Sequence, residues 1–491
     1  MTRPLSLDPI VALSARELSR EIHRGALSCR EVMRAYLAHI DAYNPQVNAI
    51  VALREAEALM GEAAAADEAL AAGKSMGWMH GMPQAPKDLA MTRGLRTTFG
   101  SPIFRDNVPT TDTVVVERAR RAGALFIGKT NTPEFGLGSH TFNEVYGATC
   151  NPYDATRSAG GSSGGAAAAL AMRMLPVADG SDFGGSLRNP AAFCNVYGYR
   201  PSAGRVPYGP TPETFLPQLG CEGPMARNVA DLALLLATQA GPDVRTPQAL
   251  PTDPQLSTLT PDNVEATLTA DLAGARIAWL GDWNGYLPIE DGILALCEEA
   301  LSSMSAFGVE VEAIAPPFPA ERIWKTWLVH RHFLTGNARM ALYRNADTRA
   351  QLKPEAIWEI EGALPLTATD LYAASTDRTA WYQALQRLFA KFDYVAVPTA
   401  QVFPFDINER WPTTIAGRAM DTYHRWMEVV VPWTLAGSPV VSVPVGFGAN
   451  GLPMGMQLIG RPREDLSVLR LAAAYERERD WVGRYLPPAI A

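Results

Sequence analysis

The chain has 491 residues and a mass of 53.1 kDa; 47% are hydrophobic and 19% charged, enough apolar material for one large α/β domain. Forty-three basic against 51 acidic residues give a formal charge of −8, which argues against a nucleic-acid binder, since that would need a basic face for the phosphates. The small-residue run Ala166–Leu175 is interrupted by Arg173, and nothing else approaches the ~18 unbroken apolar residues of a membrane span.

In chain order, the N-terminal segment MTRPLSLDPIVALSARELSRE lacks the apolar core and cleavage site of an export signal. Ser14 with Glu17 and Ser28 with Glu31 fit capping boxes, so paired helices are expected, the first stopping at Gly25. The second carries Val32, Tyr36, Leu37 and Ile40 on one face, and the AYNPQ segment is expected to end it. Beyond it, apolar runs at Ala124–Ile127, Leu175–Ala178, Arg276–Leu280, Val309–Ile314, Tyr394–Val397, Pro439–Val445 and Met454–Ile459 predict strands. Helical periodicity predicts helices over Thr113–Ala122, Gly165–Met174, Ala226–Gln239, Ile293–Phe307 and Thr376–Phe392. Ala449-Asn450-Gly451 between the last two strands predicts a hairpin, hence a mixed sheet with helices on both faces. The Pro- and Thr-rich stretch from Gly241 to Thr269 reads as a surface crossing within a single domain spanning 1–491. Within that domain the expected parts are N-terminal helices (about 10–75), a core (about 76–240), an aromatic-rich lobe (about 290–430) and a C-terminal hairpin and helix (about 438–480).

Five cysteines form no CxxC pair and leave an odd one over, which implies free thiols and a cytoplasmic setting. The histidines are scattered apart from His330 and His332, so no metal site and no cofactor are expected.

Two familiar motifs fail on context. Gly123-Ala-Leu-Phe-Ile-Gly128-Lys129-Thr130 fits a phosphate loop, but its four central residues read as a buried strand and Asn-Thr-Pro follows in place of a helix. Gly160-Gly161-Ser162-Ser163-Gly164 fits a nucleophile elbow, but an irregular loop precedes it and none of His330, His332 and His424 has the context of a base. A third constellation is more informative. Arg157-Ser-Ala-Gly-Gly-Ser-Ser-Gly-Gly165 and Gly180-Ser-Asp-Phe-Gly-Gly-Ser-Leu-Arg-Asn189 are joined by a helix-then-strand pattern, so they are not linkers. Glycine packed beside a helix start aims backbone N–H groups into a small space, as an oxyanion hole requires.

These residues resemble the amidase signature family of serine hydrolases. The likeness extends to Gly81-Met-Pro-Gln-Ala-Pro-Lys87-Asp88, to the block from Ala122 to Gly136, and to Gly451-Leu-Pro-Met-Gly-Met-Gln-Leu-Ile-Gly-Arg-Pro462. It covers about residues 10–480 and is weakest between about 245 and 430. It implies an amidase signature fold, a nucleophile at Ser186, a bridging serine at Ser162 after a cis Gly161–Ser162 bond, and a base at Lys87. Ser162 and Ser186 stand 24 residues apart (186 − 162), the spacing the resemblance leads one to expect. It also implies oxyanion donors on the backbone N–H groups of Phe183, Gly184, Gly185 and Ser186. Asp182 and Arg188 are read as supports of that loop, and Ser163 as the cap of the helix after it. Gly-Ser before Asp182, Phe183 itself and Pro86 before Lys87 depart from the usual pattern without removing a reacting group.

The implied activity is hydrolysis of a small amide through an acyl-serine. Trp324, Trp327, Phe333, Phe403, Phe405, Trp411, Trp426 and Trp433 suggest an apolar cleft for aryl or alkyl amides, anilides or carbamates. Alternatives are the glutamine-hydrolysing component of a tRNA-dependent amidotransferase and a catalytically silent binding protein. A small-molecule substrate is expected as partner, with neither nucleic acid nor membrane, and the family resemblance implies a homodimer.

Overall fold

Both N-terminal capping boxes form: Ser14 Oγ and Ser28 Oγ accept from the N–H groups of Glu17 and Glu31, opening helices Ala15–His23 and Cys29–Val47. The computed structural model describes residues 7–216 and 219–491, so the first six residues of the N-terminal segment lie outside it. Gly25, at φ 74°, ends the first helix as expected. The second runs straight through AYNPQ: Pro45 is accommodated in its last turn, and Asn48, left-handed at φ 50°, ends it. The amide of Asn48 donates to the carbonyls of Tyr146 and Ala148, which ties this end to the core.

Eight strands build one mixed sheet. In chain order they are β1 (Val177–Asp182), β2 (Tyr197–Arg200), β3 (Cys221–Ala226), β4 (Arg276–Trp279), β5 (Glu310–Ala313), β6 (Tyr394–Pro398), β7 (Val440–Phe447) and β8 (Pro453–Ile459). Across the sheet the order is β1-β3-β2-β7-β8-β6-β4-β5. Only β6–β4 and β4–β5 are parallel pairs. The β7–β8 hairpin turns at Asn450-Gly451, with Gly451 at φ 73°. Six of the seven predicted strands fall in this sheet. The seventh forms outside it as Leu125–Phe126, parallel to Pro83–Gln84.

Strands β2 and β3 escape sequence patterning because YGYR and CEGPMA neither alternate nor concentrate β-branched residues. β3 takes Ala226, so the helix expected from that residue starts at Val229, capped by Asn228. The helix expected from Thr376 begins a full two turns earlier, at Ala368, because Thr367 and Asp370 close a capping box. The helix Gly164–Ala171 is buried on every side. Helices Ala320–Asn337, Pro354–Ala363 and Ala368–Phe389 form the aromatic-rich lobe. All five cysteines are free thiols. No described helix is long and apolar enough to cross a membrane, and no group of three or more described His, Cys, Asp or Glu side chains is placed to hold a metal ion.

Candidate active site

Lys87 sits in an extended stretch threaded beside Lys129-Thr130. Thr130 N–H donates to the Pro86 carbonyl, Asp88 N–H to the Thr130 carbonyl, and Lys87 N–H to Asp179 Oδ2 (3.1 Å). Its side chain is buried, and Nζ donates to Ser162 Oγ (2.7 Å), Ser163 Oγ (2.9 Å) and Ser181 Oγ (3.0 Å). The peptide bond Gly161–Ser162 is cis. Ser163 differs from the expectation: it stands at the start of the next helix, but its hydroxyl accepts from Lys87 Nζ and makes no cap. A short polar side chain competes equally well for either partner, and burial of Lys87 decides it.

Desolvation pushes Lys87 down to about 7, against the opposing pull of Asp179, Asp182 and Glu222. The carboxyls respond the other way. Burial raises Asp179, and burial with the nearby Asp179 raises Glu222 to about 8. Ser181, Asp179 and Glu222 share one face of the β1–β3 pair, with Ser181 directly opposite Glu222. Asp179 and Glu222 do not stand out in sequence, whereas Ser181 belongs to the Gly-Ser pair before Asp182 that departs from the family pattern.

The loop after β1 turns sharply into the helix Arg188–Phe193. Gly185 makes the turn at φ 89°, where an added Cβ would lie 2.8 Å from Asn189 Nδ2 and 2.9 Å from Val430 Cγ2. Asp182 is the hub. It accepts from Gly185 N–H (3.0 Å) and Leu187 N–H (3.2 Å), and pairs with Arg188 (2.8 Å) and Arg200 (3.2 Å). Burial alone would raise its pKa, but the two guanidiniums hold it well below the usual carboxylate range. Arg188 reaches on to the Val430 carbonyl, Gln457 and Thr434, so the loop is fastened to the far side of the sheet. Of the expected oxyanion donors, Gly185 N–H is thus already committed to Asp182. The N–H groups of Phe183, Gly184 and Ser186 make no hydrogen bond among the described residues.

Ser162 and Ser186 both line a cavity of about 520 Å³. Its apolar wall includes Leu89, Phe135, Leu137, Phe183 and Phe333, and Arg331 and Arg339 supply cations. Of the eight aromatics expected at a cleft only Phe333 reaches it. Trp324, Trp327, Phe403, Phe405, Trp426 and Trp433 are core, and Trp411 packs against the core. Large apolar rings gain most where every face is dry. The two rejected motifs look different in place. Lys129 Nζ donates to the Ala90 carbonyl and Thr92 Oγ1 and so cradles no phosphate. His332 and His424 lie against Glu359, and Ser162 meets a lysine, not an imidazole.

The amidase family profile matches residues 31–469. An acylamidase from Rhodococcus erythropolis is 34% identical over 477 residues, spanning 96% of each chain. A glutamyl-tRNA(Gln) amidotransferase component from Thermosynechococcus vestitus (strain NIES-2133 / IAM M-273 / BP-1) is 35% identical over 488 residues, covering 95% of this chain and 98% of the relative. The crystal structure of a bacterial aryl acylamidase of the amidase signature family superposes with a TM-score of 0.89 at 29% identity, covering 96% of this chain and 98% of that one. With this fold and this buried lysine–serine cluster, the chain belongs to the amidase family and is an amide-hydrolysing enzyme of the amidase signature type.

Proposed function

We propose that the enzyme hydrolyses small aryl or alkyl amides and anilides through an acyl-Ser186 intermediate, with Ser162 as proton bridge and Lys87 as base. The observation carrying this reading is the mostly apolar 520 Å³ cavity that has both serines in its wall and a buried lysine 2.7 Å behind one of them. A serine hydroxyl is a poor nucleophile until a base takes its proton. Near neutral pH a good share of Lys87 is uncharged and able to accept.

Ser186 Oγ attacks the amide carbonyl as its proton passes to Ser162, whose own proton passes to Lys87. Negative charge on the former carbonyl oxygen meets the N–H groups of Phe183, Gly184 and Ser186, each such donor supplying about 2.7–4 kcal/mol. The protons return by the same route to the nitrogen, the C–N bond breaks, and the amine leaves. Water, deprotonated by the same relay, then attacks the ester and releases the acid and Ser186.

Intact-mass spectrometry after a fluorophosphonate probe tests the assignment. One adduct on the wild type, absent from Ser186→Ala and slowed in Ser162→Ala, is the expected result. Full labelling of Ser186→Ala with none on Ser162→Ala would overturn it, and adduct formation with anilide turnover argues against a silent binding protein. The match to glutamyl-tRNA(Gln) amidotransferase components motivates a second reading, glutamine hydrolysis for a partner enzyme. Ammonia release from glutamine at rates exceeding anilide turnover would favour it.

A further inference from the structure

Two cations, Arg331 and Arg339, and two carboxylates, Asp182 and Glu213, line the cavity, and Glu213 accepts from the N–H groups of Phe215 and Leu216. Arg331 is paired with Glu359 at 2.5 Å and donates to the Tyr423 hydroxyl, and Asp182 is paired with Arg188 and Arg200. Arg339 differs. Its guanidinium lies 5.0 Å over the Phe135 ring and donates only to the carbonyls of Thr335 (2.8 Å) and Phe135 (3.3 Å). No described carboxylate pairs with it, and its Nε–H, buried, has no acceptor. A guanidinium offers five N–H donors, so most of its capacity is unused. Burial lowers its pKa, the direction expected for a cation set in a wall without its counter-ion.

Its position indicates which part of a substrate it faces. The Phe135 carbonyl that it holds is followed by Gly136, where an added Cβ would stand 3.3 Å from Ser162 Oγ. In the mechanism above Ser162 hands the proton to the departing nitrogen, so this wall adjoins the amine half of the substrate. The acyl half lies toward the Phe183–Ser186 loop.

Building on that mechanism, we propose that Arg339 recognises a carboxylate carried on the amine side of the scissile bond, making amides of acidic amines, such as N-acyl aminobenzoates, the preferred substrate class. Arginine suits the task because its planar fork meets both carboxylate oxygens at once.

The test uses Ser186→Ala protein, which holds a ligand without turning it over, and calorimetric affinities for 4-acetamidobenzoate, its neutral carboxamide analogue and succinanilate. The expected result is a tenfold or greater preference for 4-acetamidobenzoate over the carboxamide. That preference is expected to fall about tenfold or more, to near parity, in Arg339→Met and to recover in part in Arg339→Lys. Each ratio is taken within one protein, so a general loss of stability cancels. Equal binding of benzoate and carboxamide overturns the proposal without needing the arginine variants. So does a ratio unchanged by Arg339→Met, or a preference confined to succinanilate, whose carboxylate is on the acyl side. Failure of Ser186 labelling sinks the mechanism by a different readout and leaves the affinity ratios standing.

Discussion

Lys87 in water holds its proton until far above neutral pH; inside this chain it releases it near pH 7. Catalysis by neutral Lys87 therefore predicts that kcat/KM rises with pH through about 7, falling about tenfold per unit below it. Lys87→Met is expected to lose about 10²- to 10⁴-fold in rate and the acid limb with it, read from a pH profile on one anilide. Glu222 works in the opposite direction on stability. Its folded pKa of about 8 lies above the ordinary 4.5, so the folded chain holds a proton that the unfolded chain has shed. Its contribution is full below about 4.5 and is lost as pH rises toward 8. Glu222→Gln should therefore gain in Tm relative to wild type as pH is raised from about 5 to 8; a constant difference would refute the shift. The residues proposed to react were legible because glycine, serine and lysine stood in a recognisable order. Asp179, Glu222 and Arg339 were not, since what matters about each is a neighbour distant in sequence.

The element that organises the site is the β1 strand with its turn into Arg188–Phe193. Asp182 alone engages two guanidiniums and two backbone N–H groups there. Asp182→Asn would leave Arg188 and Arg200 buried without a counter-charge, a loss of about 3–5 kcal/mol measurable by chemical denaturation, with activity falling as the loop loosens. Asp182 and Arg188 are visible in the sequence motif itself, whereas Arg200 stands in a strand that patterning missed. Element boundaries went astray where side chains override propensity. Pro45 removes one N–H from the last turn, yet the helix continues two residues further to Val47 before Asn48 makes the left-handed exit. The Thr367–Asp370 box, readable in principle, lengthened another helix.

For the molecule as a whole, most aromatics suspected of lining a cleft are buried in the core instead. Trp433 lies within 5.9–6.3 Å of Trp381 and Trp283, joining the Ala368–Phe389 helix to the segment after β4. Trp433→Ala is expected to cost about 3–5 kcal/mol in denaturant unfolding while KM stays near that of wild type, since the ring does not border the cavity. A raised KM without lost stability would return it to the substrate site. By itself the amino-acid sequence determined the α/β class, the mixed sheet and the amidase family, and it supplied the lysine and serines proposed to react. Each of these is written in local periodicity, turn chemistry or a short ordered motif. Only the tertiary structure decided which N–H groups of the turn are uncommitted, which rings line the cavity, and that Arg339 lines it with no described carboxylate paired to it. Those properties belong to pairs of residues that meet through packing, and no single stretch of chain encodes the absence of a partner.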